Sequence, residues 1–102
     1  QRFPAKELIY GLRGELNQDA YTKDYIVSNK NIKSIIDGRE VRVIYFSELD
    51  SVMAFYSDGY EGPITPYGLT DDGRELDRYE GLVSEAFWMI WVYFYPGTSA
   101  FS

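Results

Sequence analysis

Ile32-Lys33-Ser34-Ile35-Ile36-Asp37-Gly38-Arg39-Glu40-Val41-Arg42-Val43-Ile44-Tyr45-Phe46 carries the clearest local signal in the chain. Two runs rich in β-branched residues flank Asp37-Gly38, a pair that tolerates the positive φ of a two-residue hairpin turn. Two antiparallel strands are expected here. Val52-Met53-Ala54-Phe55-Tyr56 reads as a further strand, closed by Ser57-Asp58-Gly59. Upstream, Leu8-Ile9-Tyr10-Gly11-Leu12 is a short apolar run ended by Arg13-Gly14, a plausible hairpin turn into residues 15–21. Thr22 is placed to cap a short helical turn over residues 23–27, which Asn29 and Asn31 stop.

Residues 60–81 are dense in turn formers: Gly62-Pro63, Thr65-Pro66-Tyr67-Gly68, Asp71-Asp72-Gly73 and Glu80-Gly81. The stretch reads as loop, with room for a short strand at 74–79. So long a loop in a small domain is either packed by its own tyrosines or docked on something else. The apolar run at residues 86–95 is ambiguous. Its aromatic and β-branched content suits a strand buried on both faces, whereas Trp88, Trp91, Val92 and Tyr95 follow helical spacing behind a capping Ser84. Ten apolar residues cannot span a bilayer as a helix, which takes about 20.

The chain has 102 residues, 45% apolar and 25% charged, which fits one globular domain over residues 1–102 and excludes disorder or a fibrous repeat. Net charge is −6, with no basic cluster to displace counterions from phosphates, so nucleic acid is not an expected partner. An anionic membrane repels the chain for the same reason. Lys23, Lys30, Lys33, Arg39 and Arg42 read as solvated strand and turn residues. Cys and His are both absent, which removes disulfides, thiolate and imidazole catalysis, and the commonest transition-metal ligands. No cofactor is expected. The opening Gln1-Arg2-Phe3-Pro4 has no initiator Met and no apolar signal segment, and is compatible with a processed product.

Rings and carboxylates remain as working groups. Tyr56, Tyr60, Tyr67, Tyr79, Trp88 and Trp91 are the interface candidates, because a flat ring offers much contact area at little entropic cost. The simpler reading of the two indoles is core packing. Asp71, Asp72, Glu75 and Asp77 are weak candidates for a hard cation or for glycosidic acid–base work; their simpler reading is solvated turn carboxylates. Asp71-Asp72-Gly73 lacks the ligand alternation of an EF-hand loop. Gly11-Leu12-Arg13-Gly14 lacks the Lys-Ser/Thr of a phosphate loop.

Three stretches together resemble a known family, the domain of unknown function numbered three thousand one hundred and seventy-nine, found in bacterial and archaeal proteins that are usually exported. Glu7-Leu8-Ile9-Tyr10-Gly11-Leu12 and Ala20-Tyr21 are similar to its opening hairpin and Ala-Tyr-Pro step, with Thr22 in place of the Pro. Residues 36–45 and 51–55 are similar to its Gly-Gly-X-Pro-Val-X-Val-X-Tyr hairpin and the following Gly-Ser-Ala-X-Ala-Phe. Phe87-Trp88-Met89-Ile90-Trp91-Val92-Tyr93-Phe94-Tyr95-Pro96-Gly97-Thr98 is similar to its terminal Phe-Trp-Phe-Ala-Trp-Ala-Ala-Phe-X-Pro-Asp-Thr. The family's Cys-Pro-X-Cys falls on Phe46 and Leu49, which cannot ligate, and its longer central segment is missing. The resemblance implies a periplasmic or extracellular setting and no established activity, and its terminal signature favours a helix for residues 84–94.

The expectation is therefore a mostly β (α+β) fold: a small antiparallel meander or barrel-like sheet of five or six strands, one or two short helices, and the aromatic C-terminal segment packed on the sheet. The expected function is a non-catalytic extracytoplasmic binding or accessory module, acting through the tyrosine-rich loop and an exposed C-terminal strand edge that invites β-addition. Its partner would be another protein or a second copy, with any membrane association made through that partner. The alternative is a carbohydrate-binding or carboxylate-based hydrolytic domain that uses the acidic loop beside Trp88 and Trp91.

Overall fold

In the computed structural model, which describes residues 3–102, Asp37 and Gly38 stand at φ 51° and 79°. Two consecutive positive values are what a tight hairpin turn between twisted strands demands. The turn joins β3 (Asn31–Ile36) to β4 (Arg39–Phe46), paired from Ile36↔Arg39 to Asn31↔Ile44, and β5 (Ser51–Tyr56) pairs with the far side of β4. Ahead of this sheet lie β1 (Leu8–Leu12), β2 (Asp19–Thr22) and α1 (Lys23–Asn29); behind it follow β6 (Leu82–Phe87), α2 (Trp88–Phe94) and β7 (Ser99–Phe101). The fold is mostly β, with two antiparallel-rich sheets. The second sheet has the order β6-β1-β2-β7, and its β2–β7 pair is parallel. Among the described residues seven strands replace the expected five or six: residues 74–79 make only isolated bridges, while β6 and the three-residue β7, too short to read as a strand by pattern, are additional.

Alternation along β1 and β2 explains how the layers stack. Tyr10, Leu12 and Tyr21 face the other sheet, where Ile32, Ile36, Val41, Val43 and Ala54 meet them in the main core with Ile26 of α1. Ile9 and Ala20 face the opposite way, onto Trp88 and Trp91 of α2. On the far side of the three-stranded sheet, Ile44 and Phe55 pack against Ile64 of the long loop. The order of layers is loop, three-stranded sheet, four-stranded sheet, helix. Each large side chain buried in these seams contributes on the order of 1.5–3 kcal/mol. Residues 77–79 run along β5, with Tyr56 N–H donating to Asp77 O and Tyr79 N–H donating to Ala54 O, both at 2.9 Å. The chain then enters β6 of the other sheet.

The ambiguous C-terminal run is both strand and helix. β6 continues to Phe87 and the helix begins only at Trp88, not at Ser84. Between Ile9↔Ala86 and Gly11↔Val83, three steps on β6 face two on β1, and the extra residue is accommodated with Glu85 at φ 54°. This bulge keeps Val83 and Ala86 on the same face, both against the α2 cluster. Ser84 caps nothing. The first helical amides instead reach the N-terminal segment, Trp88 N–H donating to Glu7 O and Met89 N–H to Ala5 O, both at 2.9 Å. Thr22, by contrast, caps α1 as expected, its Oγ1 accepting Tyr25 N–H at 3.2 Å.

Gly11 decides where α2 sits. A Cβ there would overlap the Trp91 ring, so the indole lies directly on the backbone of the central strand. Trp91 Nε1 donates to Thr98 Oγ1 at 2.9 Å, and Thr98 Oγ1 donates to Tyr95 O at 2.7 Å. Gly11→Ala is expected to lower stability by about 1–3 kcal/mol, read as a reduced denaturation midpoint with an altered indole emission. An unchanged midpoint would mean that Trp91 is not seated on β1.

Candidate functional site

Five of the six ring candidates are drawn into the structure to some degree. Trp88 and Trp91 are core residues of the seam beneath α2, and Tyr79 is buried between the sheets with its hydroxyl donating to Arg13 O. Burial takes these three out of reach of a partner, a correction to their assignment as interface residues. The reason is layering: indoles at helical spacing turn toward the sheet that the helix covers. Tyr56 is half-buried, crossing Tyr79 edge-on at 5.5 Å and lying 3.8 Å beneath the Arg39 guanidinium. Tyr60 holds the loop together. Its hydroxyl accepts Asp71 N–H at 3.1 Å and has Pro63 O (2.7 Å) and Asp71 Oδ1 (2.8 Å) within donor reach. Tyr67 alone of the six stands fully out, 81% exposed.

The acidic candidates do not converge. Asp71 serves Tyr60, while Asp72 accepts from the Thr70 hydroxyl and from Arg74 Nε at 3.2 Å. Those two hydrogen bonds hold the Asp72 carboxyl below its usual range. Among the described residues no group of three acidic side chains is placed to hold a metal ion. The loop packs on the outer face of one sheet and α2 on the outer face of the other, so both sheets separate Asp71 and Asp72 from the indoles. A glycan site combining the two is therefore not assembled.

Arg42 departs from its reading as a solvated strand cation. It is buried, and its guanidinium donates to Asn31 Oδ1 (2.9 Å), Tyr60 O (2.9 Å) and Gly62 O (3.1 Å), tying the loop to β4. Asp37 does the same for the two hairpins. Its carboxylate accepts Glu15 N–H at 2.9 Å and Leu16 N–H at 2.7 Å, and these amides draw its pKa down. Between the sheets, Asp19, Tyr21 and Ser34 form a closed polar cluster in which burial raises the Asp19 pKa.

What lies open is the outward side of α2. Trp88 and Trp91 point in, so Met89, Ile90, Tyr93 and Phe94 point out, joined by Phe87 at the end of β6. Tyr93 and Phe94 meet edge-to-face at 5.2 Å. Beside them Val83, Ala86, Ile90, Trp91, Phe94 and Tyr95 line an open apolar groove of about 340 Å³ between helix and strand. Residues 86–102 contain no Asp, Glu, Lys or Arg. The sequence held the signal in that charge-free run; what it did not reveal was which side of the run faces water. Among the described residues no helix is long and apolar enough to cross a membrane. No protein-family model, curated protein or solved structure matches the chain.

The buried tyrosines give a test of this placement. Burial pushes the Tyr21 hydroxyl up to about 12 and that of Tyr79 higher still. Their folded values exceed the unfolded value of about 10. The stability they contribute is therefore fully present below about pH 10 and is lost as pH rises through the folded values. Phenolate absorbance should show a late class that ionises together with loss of sheet circular dichroism. A single early step covering all ten tyrosines would contradict their burial.

Proposed function

We propose that this protein is a non-catalytic binding module that docks a protein partner through the outward face of α2, as an accessory subunit of a larger assembly. The observation that carries this reading is the cluster of Phe87, Met89, Ile90, Tyr93 and Phe94. Four of these large apolar side chains lie on a helix whose opposite face is already satisfied by Ile9, Ala20 and Gly11, and Phe87 directly precedes it at the end of β6. Contiguous apolar patches of this kind mark interaction sites in soluble domains, whereas scattered exposed apolar residues need no explanation. Aromatic and Met side chains in a charge-depleted patch are also what the centres of protein interfaces contain. Catalysis has less to stand on, because Asp71 and Asp72 are engaged in holding the loop.

An extracytoplasmic setting belongs to the same reading, supported by the family resemblance of the hairpin and of residues 87–98. The carbohydrate alternative is weaker, since both indoles it would need for stacking lie under the helix. The test is site-specific photocrosslinking in cells that make the native protein, with benzoylphenylalanine at position 93 and, as control, at position 67. Adducts are expected from position 93 and not from position 67. Adducts from position 67 alone would move the working surface to the loop and overturn the proposal.

A further inference from the structure

We infer that the occupant of the α2 face is a second copy of this chain, in a two-fold contact that sets the Met89–Tyr93 ridge of one copy into the Val83–Ala86–Phe94 hollow of the other. This inference rests on the docking reading above and names its partner. Ridge and hollow lie side by side on one surface. Met89 and Tyr93 are four residues apart and form one row, while Ile90 and Phe94 form the next row and border the groove over β6. A two-fold axis through such a surface brings each row opposite the groove of its mate, the self-complementarity that an isologous contact requires.

Area supports the same occupant. Phe87, Met89, Ile90, Tyr93 and Phe94 are 46%, 54%, 56%, 79% and 67% exposed. At about 200 Å² for a side chain of this size, they offer roughly 600 Å² per copy. Two copies then bury about 1,200 Å², the lower bound of stable specific interfaces. Homodimer interfaces are also the more apolar class, with charge depleted at their centre. Residues 86–102 carry none, so the five patch side chains bring no charge of their own segment into the contact. The −6 of each copy resides elsewhere and acts only through long-range repulsion, which salt screens within about 8 Å at physiological strength. A lipid surface fits less well. Interfacial helices pair their apolar face with Lys and Arg that anionic headgroups attract, and this segment has neither.

The experiment is sedimentation equilibrium of the full chain across a range of concentrations, at low and at moderate salt. The expected result is a reversible species of twice 11.8 kDa with a micromolar Kd, tighter at the higher salt because the repulsion is screened. Ile90→Asp and, independently, Tyr93→Glu should each weaken it by about tenfold or more, while Tyr67→Glu leaves it unchanged. Emission from the buried Trp88 and Trp91 reports that each variant is folded, and Tyr93 is exposed enough for its replacement to spare the core. A monomer at every concentration overturns the inference, as does a dimer indifferent to both α2 variants. Binding of a monomeric chain to phosphatidylcholine vesicles would overturn it in favour of lipid. If the chain is monomeric yet position 93 still crosslinks to a different protein, the second copy is wrong and the docking face stands. If position 93 captures nothing and no dimer forms, both readings fall.

Discussion

Trp91 lying on Gly11 is the constraint from which the outward half of the molecule follows. The central strand of the four-stranded sheet offers a patch of bare backbone, and the indole fills it. Hydrogen bonding of Trp91 Nε1 to Thr98 and packing against Tyr95, centroids 4.5 Å apart, leave the ring little freedom to rotate. Once Trp91 is seated, the 100° step of the helix carries Met89 and Tyr93 to the far side; Trp88 and Phe94 stand at equal angles from Trp91, and tertiary packing buries the first while leaving the second exposed. The exposed patch is thus a geometric consequence of how the helix is anchored, and the anchor depends on a missing side chain one strand away.

Polar groups bind the layers in a different manner. Asp37 clasps the β1–β2 loop, Arg42 clasps the start of the long loop, and Lys23 meets Glu85 at 2.7 Å between α1 and the β6 bulge. Exposed ion pairs such as the last contribute little to stability. Arg42 differs because its donors are buried, and a buried donor without a partner would cost about 1–3 kcal/mol. Trp88 Nε1 is the opposite case: it is buried and finds no acceptor among the described residues. The consequence of all this bonding is that residues 57–81, long for a connection in so small a domain, are held by internal bridges such as Leu69↔Glu75 and by Tyr60.

Much of the architecture was legible where the signal is local. The Asp37-Gly38 turn, the strands on either side of it, the Thr22 cap and the loop character of residues 60–81 each follow from φ preference or a side-chain-to-backbone bond a few residues away. The C-terminal helix, expected over residues 84–94, starts at Trp88 and not at Ser84. The difference arises because a β-bulge shifts the face on which residues fall, and a bulge has no periodicity to betray it. The candidate surface was legible only in outline. A run of ten apolar residues announces that something is buried and conceals which members are, since every period fits a uniform pattern.

Alone, the amino-acid sequence determined a mostly β domain around one tight hairpin, an acidic chain without imidazole or thiol, and an aromatic stretch free of charge near its end. These are properties of composition and of neighbours along the chain. Tertiary structure decided that the indoles and Tyr79 turn inward while Phe87, Met89, Ile90, Tyr93 and Phe94 turn out, and that two sheets stand between the acidic loop and the helix. The physical reason is that exposure is a relation between distant segments. No residue carries the knowledge of which strand will lie beneath it, and here that depended on the glycine at position 11.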